Sequence, residues 1–468
     1  MKAGFRGDAV ATIAIVVLAL TPPGAGAGLV VEGDSGVGDP FFPLSGNGGY
    51  QVSSYDLRLN YSPRSDRLRA RTRIEATVET SGAFLGRFDL DYRGPAIKAL
   101  QVEGAPADYE RQGQELIISP AAPLDDGATF TVAVRYAGKP KQLTDSDGSK
   151  EGWTKTPDGA VALGEPRGSP TWFPCNDHPT DKASYRIRIT TRKPAIGISN
   201  GRLVDRKRAG KRVTTTWREE GPMATYLALV AIGKFRVDRG RMDDSQYLGA
   251  VDRDLGSATL KSLRQRSRRA HAFLPTVAGE YPFAATGGVV DPAGLGYALE
   301  TQGRPYYPSR PSQDLVVHEL AHQWFGNSVS PAVWPDIWLN EGFATYMEWL
   351  YEEDRGGRTA AQRFNQLYKG HSAGDSAFWN PPPAQVPGPA QMFDDTVYDR
   401  GAMALQVLRE LVGEADFDEI ILEWVTENAG TAATTGDFVA KVAEVNGSTP
   451  SLFEDWLFEQ GKQPDPSP

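Results

Sequence analysis

His318-Glu319-Leu320-Ala321-His322 and, after eighteen intervening residues, Glu341 within Trp338-Leu339-Asn340-Glu341-Gly342 constrain this chain more than any other feature. Histidines four apart project from nearly one face of an α-helix, so both imidazoles can reach one metal while Glu319 points into the space beside it. The interval from His322 to Glu341 is long enough to end that helix, turn, and return a carboxylate from a second one. Two helices must therefore lie side by side here. Two imidazoles and a carboxylate suit Zn2+, one per chain, with manganese and cobalt as competitors. Three protein ligands leave a fourth position for water, and Glu319 supplies a base, so the pattern predicts a zinc hydrolase. Each imidazole needs an acceptor behind its second nitrogen. Glu348, two helical turns after Glu341 on the same face, is the candidate, Asp336 a weaker one, and a solvated surface glutamate the plain alternative.

The rest of the chain divides by periodicity. Tyr55 to Tyr61, Leu68 to Ile74 and Ser184 to Ile189 alternate apolar or small with polar side chains, the pattern of half-buried antiparallel strands. This texture runs to Val237 and predicts an N-terminal antiparallel β-sandwich over residues 50–238. From about Arg239 the spacing turns helical, with helices expected over 257–278, 312–325, 337–353, 400–412 and 438–445. A mainly helical domain over 239–460 follows, making the fold α+β with two domains. Residues 28–49 read as an irregular lead-in, Pro381 to Pro389 as a loop and residues 461–468 as a frayed tail.

Composition excludes several partners. With 40% hydrophobic and 23% charged residues the chain is ordinary globular protein. Its formal charge of -9, or -10 without Lys2, Arg6 and Asp8 of residues 1–27, argues against nucleic acid. The basic cluster from Lys261 to Arg269 reads as a solvated helix face. Lys2 and Arg6, an apolar run from Val10 to Leu20, and Ala25-Gly26-Ala27 have the three parts of a secretory signal peptide, so a secreted chain starting at Gly28 is expected. The apolar run is well short of the roughly twenty residues that span a bilayer, and no stable membrane anchor is expected. Cys175 is the only cysteine, which forbids an internal disulfide and predicts a buried packing residue.

Beyond the metal motif, Trp172-Phe173-Pro174-Cys175-Asn176-Asp177-His178-Pro179, Tyr297-Ala298-Leu299-Glu300-Thr301, Gly342-Phe343-Ala344-Thr345-Tyr346 and Val397-Tyr398-Asp399-Arg400-Gly401-Ala402 stand in order along the chain. Together they resemble the M1 family of zinc aminopeptidases, most specifically over residues 296–346. The likeness is to a short, secreted, bacterial-type form lacking the helical C-terminal domain of longer members, and it implies a more open cleft. It implies a thermolysin-like second domain, zinc held by His318, His322 and Glu341, Glu319 as the base, and Tyr398 as a hydrogen-bond donor to the developing oxyanion. It also implies that Glu300 and Glu165 bind the α-ammonium group of peptide substrates with a free N-terminus. The family's Gly-Ala-Met-Glu-Asn motif survives here only at Ala298 and Glu300, so Thr301 does not inherit the asparagine's role. A zinc endopeptidase with the same metal site is the alternative, a catalytically inactive binding relative and epoxide hydrolysis more remote ones. Oligomeric state is left open.

Overall fold

The computed structural model of the protein describes residues 28–466, and the expected signal segment lies outside them. Alternation along Tyr50–Ser62 and Arg67–Val78 turns Tyr55, Leu57, Leu59, Tyr61, Leu68 and Ile74 into the core and the intervening polar residues outward. These strands form the centre of an eight-stranded sheet running from Arg202–Ala209 at one edge to Ala105–Pro106 at the other. Two smaller sheets cover it. Rings join the layers: Phe88 meets Tyr50 at 5.6 Å and Phe130 at 5.2 Å, Tyr92 meets Tyr136 at 5.4 Å, and Tyr61 meets Trp153 at 5.0 Å. The layered β domain matches the expectation, with one difference. Ala183–Arg192 pairs with Tyr50–Ser62 in parallel, because the long excursion between them returns the chain in the same direction. Cys175 is fully buried, as expected.

Residues 28–49 are not wholly irregular. Val30–Glu32 pairs in parallel with the strand Phe84–Asp91, and the buried Asp39 carboxylate accepts the Trp334 amide at 2.7 Å. The helical domain opens with strands rather than with a helix. Phe235–Met242 and Ser245–Asp252 form a hairpin whose turn residue Asp243 takes a positive φ of 47°. Ala285–Val290 and Tyr306–Tyr307 then add in parallel. Two-residue turns of this kind suit the twist of a hairpin, which is why residues 239–252 extend instead of coiling.

Nine helices follow among the described residues: α1 (Gly256–Ala278), α2 (Gln313–Ala321), α3 (Trp338–Asp354), α4 (Ala360–Gly370), α5 (Ser376–Trp379), α6 (Gly401–Val412), α7 (Glu414–Glu427), α8 (Thr435–Asn446) and α9 (Ser451–Phe458). α4, α5, α7 and α9 lie outside the expected helices. α1, α2, α3, α6 and α8 are the expected ones, and the basic side chains of α1 point largely to solvent. The tail is tied down at least to Pro464. Lys462 Nζ donates to the carbonyls of Tyr368 at 2.6 Å and His371 at 2.8 Å, and Trp456 Nε1 donates to Pro464 at 3.2 Å.

Candidate active site

Ser312 caps α2 by accepting the Leu315 amide at 3.0 Å, and the helix runs only to Ala321. His322 keeps helical dihedrals at its end, so the two imidazoles still share a face, with ring centroids 4.7 Å apart. α3 packs alongside, Phe343 stacking on Phe325 at 4.6 Å, and presents Glu341 from its first turn. Glu341 Oε2 lies 3.2 Å from His318 Nε2 and 3.3 Å from His322 Nε2. The other ring nitrogens are occupied: His318 Nδ1 by Glu348 Oε1 at 2.8 Å and His322 Nδ1 by the Phe325 carbonyl at 3.0 Å. Both Nε2 atoms are thereby turned toward Glu341, and one ligand atom from each of the three residues lies within 4.8 Å of the others. That donor set and spacing fit a zinc ion. Glu348 stands where the helical spacing put it. Asp336 does not reach the site, its carboxylate accepting instead from Thr435 Oγ1 at 2.5 Å.

Tyr398 arrives by a close helix contact. A Cβ on Gly342 would fall 3.0 Å from Gly401 Cα, so the two glycines let α3 and the start of α6 touch backbone to backbone. Three residues before Gly401, in a π-helical turn over Thr396–Arg400, the Tyr398 ring lies over His318 at 6.0 Å and 20°. Burial, reinforced by the carboxylates of Glu341, Glu165, Glu300 and Glu319, pushes its phenol well above the ordinary value, so it stays a donor.

The predicted carboxylates converge from both domains. Glu165 follows the strand Ala160–Leu163 of the β domain, whereas Glu300 follows Leu299, which exchanges backbone hydrogen bonds with Tyr306. The Glu300 carbonyl accepts from Gln323 Nε2 at 3.0 Å and Asn327 Nδ2 at 2.8 Å, tying this strand to the turn after His322. Carbonyl acceptors of this sort leave no mark in sequence, and Gln323, Asn327 and the Phe325 carbonyl were not among the expected site groups. One oxygen each from Glu165, Glu300 and Glu341 lies within 4.8 Å of the others, so Glu341 belongs to both clusters.

A cavity of about 570 Å3 opens onto these groups, lined also by Tyr297, Leu315, Phe393, Asp147 and Asp314 and, among the described residues, by no Lys or Arg. Glu165 Oε1, Glu300 Oε1 and Glu319 Oε2 are buried without a hydrogen-bond partner. Buried oxygens left so are costly unless a ligand completes them. Burial raises the Glu319 carboxyl to about 8, the nearby imidazoles pulling the other way. Burial and the adjacent carboxylates likewise raise Glu165. Burial opposes ionisation of Glu341 too, but His322 and His318 overcome it and hold that carboxyl at about 2.

Known proteins resemble both parts of this chain. The profile of the Peptidase M1 N-terminal domain matches residues 51–227, and that of the Peptidase family M1 domain matches residues 301–456. The chain is 28% identical to the leucyl aminopeptidase of Saccharolobus solfataricus over 62% of this chain and 40% of that protein. It is 29% identical to human endoplasmic reticulum aminopeptidase 1 over 69% of this chain and 37% of that protein. It thus spans about two fifths of the length of such relatives. Against the crystal structure of an M1 zinc metallopeptidase from Deinococcus radiodurans the TM-score is 0.82 at 27% identity, covering 92% of this chain and 99% of the other. A mutant of that protein bound to a Tyr-Ser-Ala substrate gives 0.80 at 27% identity, covering 92% and 100%. Two matched family domains in sequence order and a structural counterpart covering 92% of the chain place it in the M1 family of zinc metallopeptidases.

Proposed function

We propose that the protein is a zinc aminopeptidase that hydrolyses the N-terminal residue from peptides with a free α-ammonium group. The observation that carries this reading is the pair of buried, unpartnered carboxylate oxygens of Glu165 and Glu300, which share a cavity with the metal-binding set. A substrate ammonium held there is fixed by charge-assisted hydrogen bonds, and its first peptide bond falls toward His318, His322 and Glu341. A blocked amide nitrogen carries no charge to offset the desolvation of those carboxylates. His318, His322 and Glu341 would hold the zinc, which would supply a Lewis acid and lower the pKa of a water bound to it.

The remaining steps belong to the chain. Glu319, adjacent to His318 and with one oxygen unpartnered, takes the proton of the attacking water and passes it to the leaving amine. Tyr398 donates its phenolic hydrogen to the oxygen on which negative charge develops. Glu348 and the Phe325 carbonyl keep both imidazoles in the tautomer with Nε2 free.

An endopeptidase would use the same metal and base but would need no ammonium site. The test is turnover of an aminoacyl arylamide against its N-acetyl form. The aminopeptidase reading expects the acetylated compound to be essentially inert, and equal turnover would sink it. The proposal includes export, supported by the Lys2 to Ala27 segment in sequence, and no helix of the described residues is long and apolar enough to cross a membrane. N-terminal sequencing of protein from the culture medium would test this, with Gly28 as the expected first residue.

A further inference from the structure

We infer that Glu165, Glu300 and Glu341 form a second divalent-cation site, distinct from the His318, His322 and Glu341 set and bridged to it by Glu341. Three observations carry it. One oxygen of each glutamate lies within 4.8 Å of the others. Oxygen ligands bind divalent cations at about 2.0–2.6 Å, so two ligands of one ion stand at most about 5 Å apart, and this trio falls inside that limit. Second, the site is built and buried: Glu300 is 2% and Glu165 8% exposed, and the Oε1 atom of each lacks any partner. Third, among the described residues no Lys or Arg lines the cavity, so neither an ammonium nor a guanidinium of the chain occupies the space between the three carboxylates.

Glu341 can serve both sites because it has two oxygens. Its Oε2 faces both imidazole Nε2 atoms at 3.2 and 3.3 Å. A carboxylate shared between neighbouring ions is the usual bridge where two metals sit about 3.5–4 Å apart. The donor sets differ in chemistry. The first has two imidazoles and retains zinc, whereas the second is all oxygen and accepts harder ions such as Mn2+ as well as excess Zn2+. Where Glu165 and Glu300 also bind the substrate ammonium, which rests on the reading above, the second ion and the peptide N-terminus exclude one another. Excess divalent metal then inhibits competitively.

The experiment starts from holoenzyme carrying one zinc, freed of excess metal and titrated with Mn2+. Free Mn2+ is read by its EPR signal, and zinc is measured in the same samples. One further equivalent of Mn2+ is expected with zinc unchanged. Glu300→Gln and Glu165→Gln should each weaken Mn2+ retention at least tenfold while zinc stays at one, which also shows that the variants are folded. Leucinamide, an amine without a carboxylate, should release the bound Mn2+, and Mn2+ should raise KM for an aminoacyl arylamide without lowering kcat. No Mn2+ retained at millimolar concentration, Mn2+ entering only as zinc leaves, retention unaffected in both variants, or no release by leucinamide would each overturn the inference. Equal turnover of free and N-acetylated substrates alongside retained Mn2+ would remove the aminopeptidase reading and leave the cation site standing.

Discussion

Glu319 is the residue on which the proposed chemistry turns, and its position next to a metal ligand on α2 makes its role separable from metal binding. Glu319→Gln keeps the shape of the side chain and removes the base. Activity should fall by about 10²–10⁴-fold with zinc content unchanged, measured as kcat beside metal analysis. Activity near wild type would assign the base elsewhere. Glu348 makes the opposite prediction. Its carboxylate holds His318 Nδ1 at 2.8 Å without facing the metal-binding atoms. Glu348→Ala should weaken zinc about 10- to 100-fold, read by competition with a chelator, before it affects the turnover of fully loaded enzyme. Glu348 was legible because helical spacing alone aligns it with Glu341. The Phe325 carbonyl behind His322 was not, because every residue has a carbonyl and only the turn after α2 aims this one.

Among the elements, the strands Phe84–Asp91 and Glu115–Ser119 pair with Asp91 directly opposite Glu115. Like charges across a strand pair repel. Burial, then the Asp91 and Asp89 carboxylates, push Glu115 up to about 8, and burial raises Asp91 to about 7 against the amides of Asp177 and Gly46. Both groups hold their protons more tightly in the fold than in the unfolded chain, whose carboxyls titrate near 4. Their stabilising contribution is therefore complete below about pH 4 and is lost as pH rises through about 7 to 8. The melting temperature should fall from pH 5 to pH 8, and Glu115→Gln should make that slope shallower in a thermal melt series. Identical slopes would mean that this strand pair is not the source. Element type was legible for α3 and α6, whose helical spacing was read; α7 carries the same kind of stripe at Phe417, Ile420, Ile421, Trp424 and Val425 but was not among the expected helices. Residues 239–252 were misread because a strand buried over most of its length, such as Ser245–Asp252, shows no clear alternation.

Across the whole molecule, the two domains are joined by polar contacts that also support the site. Lys182 of the β domain donates to the carbonyls of Asn327 at 3.1 Å, Ser328 at 2.8 Å and Thr431 at 2.6 Å. Asn327 in turn holds the Glu300 carbonyl, and Tyr226 donates to the Gly326 carbonyl at 3.0 Å. Lys182→Met would remove three charge-assisted bonds at a cost of about 1.5–3 kcal/mol, although the Ser328 and Thr431 carbonyls keep the amides of Gly430 and Ser330. The denaturant midpoint should drop accordingly, and KM for peptides should rise more than kcat falls, because the turn that positions Glu300 loosens. An unchanged midpoint would show that the staple is dispensable.

His318, Glu319, His322 and Glu341 were readable from the linear chain because helical geometry converts spacing into shared faces, and chemistry then restricts what such faces can bind. The β texture before residue 238 was readable for the same reason, with a period of two in place of 3.6. Convergence was not. Glu165 comes from one domain and Glu300 from the other, 135 positions apart, and what makes them a site is that both are buried against Glu341 with oxygens unpartnered. No local pattern encodes that meeting. It depends on the close pass of Gly342 and Gly401, the interdomain contacts of Lys182 and Tyr226, and the carbonyls that aim the imidazoles, all of which exist only once the chain has packed.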